Sequence, residues 1–260
     1  MRSVSNGLGR RGVLAALGLY AAAATVGPAL AQPVRATRVA DLTHTLRPDF
    51  PTFGGDPAIQ VERALTFQRD GYNVNRLTYF EHVGTHFDAP IHFSADGMTV
   101  DRIPAASLVC PLVVLDVRAQ AARQPDYQVT PEDLAAHERA HGRVPQGACV
   151  AFTSGWDAHV GGPRFRNLDG QVMRFPGFRP DVAPLLLARG VAGVAVDTLS
   201  LDHGPSRDFA FHTAWLGAGR WGLECAASLG EVPPVGATII AGAPKIAEGT
   251  GGPGRVLALV

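Results

Sequence analysis

Between His82 and His92, three histidines and one aspartate fall within eleven positions of the run Glu81-His82-Val83-Gly84-Thr85-His86-Phe87-Asp88-Ala89-Pro90-Ile91-His92. Imidazole with carboxylate is the donor set of catalytic divalent metals, and zinc and manganese both suit it. The spacing H-x3-H-x-D-x3-H argues against a helical scaffold. On a helix Asp88 would point away from the face shared by His82 and His86, and Pro90 would break the turn. In extended chain, residues 82, 84, 86 and 88 share one face. An unbent strand would still separate His82 from His86 by roughly 13 Å at about 3.3 Å per residue, too far for two ligand bonds of about 2 Å. The segment is therefore expected to bend, and Gly84 is the residue between the two histidines that is free to do so. Its missing side chain would also leave room for an ion beside the backbone.

The run resembles the H-x-G-T-H-x-D-x-P-x-H signature of the cyclase-like metal hydrolases, a family that includes bacterial kynurenine formamidases and isatin hydrolases. Asp197-Thr198-Leu199-Ser200-Leu201-Asp202 is similar to a strand-end segment of that family, and His212 with Glu224 twelve residues later resembles its distal histidine and glutamate. The resemblance covers residues 38 to 260. It implies one α/β domain, with a mixed β-sheet core and flanking helices in the swivelling β/β/α-like arrangement. It also implies that His82, His86 and Asp88 bind a first metal, and that Asp88 bridges to a second completed by His212 and Glu224. Zinc or manganese, one or two ions per chain, is the expected cofactor. His92 takes the place of the family's general acid/base. Phe53, in Phe53-Gly54-Gly55-Asp56-Pro57, stands where the formamidases carry the aromatic of a Trp-Pro-Gly-Asp element, so it is the expected substrate-facing ring. Relatives form dimers or larger assemblies, so a homo-oligomer is expected.

A metal with an open position lowers the pKa of its bound water to about 7. A histidine with an ordinary pKa near ~6.5 can take that proton or deliver one to a leaving nitrogen or oxygen. The expected reaction is hydrolysis of a C–N or C–O bond at a carbonyl, in a formamide, lactam or lactone of a small aromatic or cyclic molecule. The alternative is a non-catalytic periplasmic protein that binds a metal or ligand on the same fold, for which His92 would have no use. Ser154, in Thr153-Ser154-Gly155-Trp156-Asp157, lacks the G-x-S-x-G elbow of a serine nucleophile. Trp156 is left with two readings, a substrate contact or a core aromatic.

These residues need elements to carry them. Arg10-Arg11, the apolar stretch from Gly12 to Val26 and Ala29-Leu30-Ala31 have the order of an export signal of twin-arginine type, cleaved after Ala31. A periplasmic or secreted location follows. The apolar stretch falls short of the ~20 residues needed to span a bilayer, so stable membrane insertion is not expected. Residues 32–260 then form the hydrolase domain. Lys+Arg and Asp+Glu both number 23, a balance that offers no field for nucleic acid. Cys110, Cys149 and Cys225 are too few for a disulfide framework. The first two read as small buried hydrophobes, and Cys225, beside Glu224, would point away from it as strand neighbours do.

Apolar runs at 112–117, 148–153, 193–197 and 238–241 read as buried strands. Thr130-Pro131-Glu132-Asp133 opens a helix through Ala140, with Thr130 as its N-cap, and residues 181–189 read as a second helix ended by Gly190. The stretch 154–180 is expected to form a loop over the site. Asp202-His203 has two readings, a pair that orients metal ligands from behind or a solvated turn, and Gly204-Pro205 after it favours the turn; the glycine cluster 249–254 lacks the G-K-S/T of a phosphate loop.

Overall fold

The apolar runs become adjacent strands of one nine-stranded sheet. A computed structural model describes residues 36–260, and the expected export signal lies outside the described residues. The strands of the large sheet are β1 (Val39–Asp41), β4 (His86–Asp88), β5 (Val109–Asp116), β6 (Cys149–Thr153), β7 (Gly193–Val196), β8 (Trp221–Glu224), β9 (Ala237–Gly242), β10 (Gly251–Pro253) and β11 (Arg255–Leu259). A separate hairpin pairs β2 (Gln60–Leu65) with β3 (Val74–Thr78). In the large sheet the spatial order is β1-β11-β9-β5-β6-β7-β8-β4-β10. Neighbours from β5 to β8 run parallel and all other pairs antiparallel, which makes the sheet mixed.

The central strands are buried on both faces. Along β5, Leu112 and Val114 join one core with Phe87, Trp221, Leu223, Ile239 and Val256. The intervening Val113 and Leu115 join a second core with Phe152, Val196, Leu134, Leu186, Phe211 and Trp215. This alternation is the period of two expected of a strand, and burial on both faces is why these runs read as continuously apolar. Helices cover the second face: α1 (Pro131–His141), α2 (Ala183–Ala188) and α3 (Ala210–Gly217). Thr130 caps α1 as expected, in a reciprocal capping box with Asp133. The second expected helix begins as a single 3-10 turn over Pro180–Val182 before α2, and Gly190 beyond it has φ +69°.

Chain connectivity forces the sheet to curl. β10 is one edge of the sheet and β11 lies next to the other edge, yet only Gly254 separates them in sequence. Gly254 is packed so closely that a Cβ there would stand 2.4 Å from the Gly242 carbonyl oxygen and 2.7 Å from the Phe87 ring. The curl brings the C-terminal strands against β4, the strand that carries His86 and Asp88. The interval 154–180 does not form the loop expected over the site. It holds two 3-10 turns and short strand pairs, and its Trp156, Phe165, Met173 and Phe175 pack with Phe50 and Leu199 into a third buried cluster. Apolar burial of those aromatics is what draws it down onto the body of the domain.

Candidate metal centre

Residues 81–85 bend irregularly before β4, and Gly84 takes φ +64°, a left-handed conformation that glycine reaches without cost. The reason for a glycine differs in one respect from the expectation. A Cβ at Gly84 would stand 2.9 Å from the Leu46 side chain, so Leu46, and not an ion, fills that space. Once in β4, alternation turns His86 and Asp88 to one side and sends Phe87 into the core. The antiparallel register of β8 sets Glu224 beside His86 and Gly222 beside Asp88. α3 supplies His212 from the face above. Two sets of ligand atoms result, His82/His86/Asp88 and Asp88/His212/Glu224, each with all atoms within 4.8 Å of one another.

Each imidazole has one nitrogen tied outward. His86 Nδ1 donates to the Gly84 carbonyl oxygen at 2.8 Å, His212 Nδ1 donates to Asp202 Oδ2 at 2.6 Å, and His82 Nε2 lies 2.9 Å from Thr250 Oγ1. The other three nitrogens face carboxylates. His82 Nδ1 is 2.7 Å from Asp88 Oδ1, His86 Nε2 is 3.3 Å from Glu224 Oε2, and His212 Nε2 is 2.9 Å from Glu224 Oε1. With the outward nitrogens protonated, neutral imidazoles would aim lone pairs at oxygen lone pairs, a repulsive arrangement unless positive charge lies between them. Asp88 is wholly buried, and its Oδ2 has no hydrogen-bond partner.

Electrostatics points the same way. Burial lowers the basicity of His86, but hydrogen bonds to Asp88 and Glu224 outweigh it and raise its pKa to about 10. Burial likewise opposes a charge on His212, and its carboxylate neighbours Asp202, Asp88 and Glu224 still lift it well above the usual histidine value. Burial would raise Asp88, yet its imidazole neighbours His212, His82 and His86 hold it well below the carboxylate range. A site that draws protons onto imidazole this strongly draws a divalent cation for the same reason. His82, His86, Asp88, His212 and Glu224 therefore fit one or two such ions.

His92 sits at the end of a 3-10 turn (Pro90–His92) and stacks on His82, with ring centroids 3.7 Å apart. Its ring nitrogens make no hydrogen bond among the described residues. It lines a cavity of about 280 Å³ with His82, His86, His212 and Glu224, walled by Phe53, Phe93, Phe209 and Leu199. Phe53 thus stands on the cavity wall, where it meets Phe209 at 5.9 Å. Trp156 does not. It is 2 % exposed, donates its indole N–H to the Phe165 carbonyl, and belongs to the third buried cluster, so its placement is that of a core aromatic. Cys225 lines the cavity floor, but burial raises its thiol well above the ordinary value, which disfavours a thiolate ligand.

Two residues of the site lay beyond the sequence reading. Phe93 and Phe209 carried no signal as cavity walls, since a lone phenylalanine reads as core. For Asp202 the structure takes the less favoured of the two readings: it is buried and accepts from the backbone N–H of Phe211 and His212 as well as from the His212 ring, so it orients a ligand from behind. The turn begins only at His203, and the position of Asp202 at the end of the strand-end segment was the available clue.

Comparison with known proteins agrees with this geometry. The Cyclase family model matches residues 40–203. The chain is 32 % identical over 227 residues to an isatin hydrolase of Roseibium aggregatum, covering 83 % of this chain and 85 % of that one. Among solved structures it is similar to isatin hydrolase A from Ralstonia solanacearum, with TM-score 0.80, 38 % identity and coverage of 86 % and 92 %. An isatin hydrolase bound to the product analogue thioisatinate gives TM-score 0.81 at 30 % identity, with the same coverage of 86 % and 92 %. Curled mixed sheet, buried histidine–carboxylate cluster and adjoining cavity together define a metal-dependent hydrolase. The chain belongs to the cyclase family of such enzymes.

Proposed function

We propose that this enzyme hydrolyses the C–N bond of a small cyclic amide fused to or bearing an aromatic ring, with aryl formamides and lactones as the neighbouring substrate classes. The observation that carries the reading is the aromatic-walled cavity opening directly onto His92 and the ligand sets. Phe53, Phe93 and Phe209 offer ring faces to a planar substrate, and His92 stands where a reacting carbonyl would meet a base.

A divalent cation held by His82, His86 and Asp88, and a second held by Asp88, His212 and Glu224, would polarise the carbonyl and ease ionisation of a water molecule. The chain's residues do the remainder. Burial pushes His92 below its ordinary pKa of 6.5, so it is neutral at pH 7 and able to accept the proton of the attacking water. As imidazolium it returns that proton to the leaving nitrogen as the C–N bond breaks, yielding a carboxylic acid and a free amine. Stacking on His82 and an edge contact from Phe93 at 4.8 Å hold the ring in place. The expected result is acid release from an isatin-like lactam, abolished by a chelator and restored by zinc or manganese. Acid release that persists undiminished in the metal-stripped protein would refute the reading, as would a failure to hydrolyse any of the three classes.

The hairpin β2–β3 supports a homo-oligomer. An isolated two-stranded hairpin is marginal in water, and this one with its flanks exposes Val61, Phe67, Tyr72, Leu77 and Phe80, the last of them 81 % exposed. A second copy of the chain is the proposed cover. Sedimentation of the parent should give a mass of at least two chains, and Leu77→Glu with Phe80→Glu should reduce it to one.

A further inference from the structure

We infer that Glu81 and Thr250 act as a positioning pair that sets the tautomer of His82, turning its Nδ1 toward the metal, and that the glycine-rich segment 249–252 exists to hold Thr250 there. The inference rests on the metal-dependent reading above and concerns residues to which that reading gives no part.

The hydrogen-bond directions leave little freedom. Glu81 takes both donors of Thr250: the backbone N–H reaches Oε1 at 3.0 Å and the hydroxyl reaches Oε2 at 2.5 Å. A hydroxyl has one proton, and here it is committed to a carboxylate that can only accept. Toward His82 Nε2, 2.9 Å away, Thr250 Oγ1 can therefore only accept. His82 Nε2 must carry the hydrogen, and Nδ1 is left with its lone pair facing Asp88 Oδ1 at 2.7 Å.

The other two histidines do not need such a device. His86 and His212 give their outward N–H to a carbonyl and to a carboxylate, which accept and never donate, and their side chains are 4 % exposed. His82 is the most exposed of the three, its side chain at 24 %, and its outward partner is a hydroxyl. Alone, a hydroxyl could donate to Nε2 and place N–H at the metal position. Glu81 removes that choice, as a carboxylate behind a ligand commonly does.

The glycines account for how Thr250 arrives. A Cβ at Gly249 would stand 2.8 Å from Glu81 Oε1, and one at Gly251 would stand 2.8 Å from His82 Cε1 and 2.1 Å from the Phe87 carbonyl oxygen. Backbone bonds pin the segment: Ala89 N–H donates to the Thr250 carbonyl and Val100 N–H to that of Gly249, both at 2.9 Å. Only glycine on both sides lets the chain press this closely on Glu81 and His82.

The test uses the full chain and Zn²⁺ as the probe. Affinity is read by chelator competition, and the His82 tautomer by the ¹⁵N shifts of its ring in the zinc-loaded protein. Thr250→Val and Glu81→Gln should each weaken Zn²⁺ binding by about 10- to 100-fold. Thr250→Ser, which keeps the hydroxyl, should restore it. The parent should show a protonated Nε2 and a metal-bound Nδ1, and Glu81→Gln should lose that single state. Parent affinity in both Thr250→Val and Glu81→Gln, or a protonated Nδ1 in the parent, would overturn the inference while leaving the metal-dependent reading intact. A parent that binds no Zn²⁺ would overturn both.

Discussion

His92→Asn is expected to keep its metal and lose turnover by about 10²- to 10⁴-fold, the usual contribution of a positioned acid/base. The variant separates a base from a ligand because His92 belongs to neither ligand set, although it lies stacked against His82. Asparagine is polar and smaller, so it leaves His82 room and disturbs the cluster little. Its amide cannot take a proton from water or return one to a leaving nitrogen. The loss should fall on kcat and kcat/KM alike, because proton transfer is made only in the transition state. Metal analysis of the purified variant and steady-state kinetics on the best lactam check it. A variant as active as the parent would end the acid/base role. The parent adds a pH test whose sign follows from burial. Desolvation disfavours imidazolium at His92 and lowers its pKa below 6.5. The neutral base therefore persists on acidification to pH 6.5, and kcat/KM should fall only as pH drops further and the proton occupies the ring.

Asp88→Asn should abolish metal binding and activity together. Asp88 is the residue common to both ligand sets, with Oδ1 facing His82 and His86 and Oδ2 facing His212. The change preserves volume, so packing beside Gly222 survives. It removes one of the two buried carboxylates, Asp88 and Glu224, that supply ligand atoms, and turns an amide N–H₂ toward nitrogens that need an anion. A loss on the order of 10³-fold or more in activity is expected, since removing a member of a unit that acts together costs nearly as much as removing the unit. Metal content by mass spectrometry should fall to background at both positions. Glu224→Gln is the useful contrast: Glu224 belongs to the second set only, and the glutamine keeps an oxygen near His86 where Oε2 stood at 3.3 Å, so retention of one ion per chain would show that the first set binds independently. Full metal content in Asp88→Asn would refute the shared-carboxylate arrangement.

Much of this centre was legible in the chain. The run from His82 to His92 carries its donors within eleven positions, and the arithmetic of an extended strand demanded the bend that Gly84 makes at φ +64°. The alternation within β5 and the capping box at Thr130 follow from local rules, and the structure shows both. The long interval 154–180 misled because aromatic, glycine-rich sequence without periodicity looks the same whether it lies over a cavity or packs beneath its wall. Trp156 was ambiguous for that reason. Its indole found a carbonyl partner in Phe165, which a sequence cannot pair across nine residues of irregular chain.

By itself, then, the sequence determined the donors of the run from His82 to His92 and that the apolar runs would be buried strands, because residue type and spacing are local properties; His212 and Glu224 it offered only through the family resemblance. Only the tertiary structure decided which groups stand behind those donors. Asp202 behind His212, Glu81 and Thr250 behind His82, and Phe93 and Phe209 around the cavity come together through the curl of the sheet. Glu81 and Thr250 lie 169 positions apart. Hydrogen-bond direction across such a distance is set by how β10 docks on β4, and that docking depends on the summed packing of the whole core, which no short stretch of residues encodes.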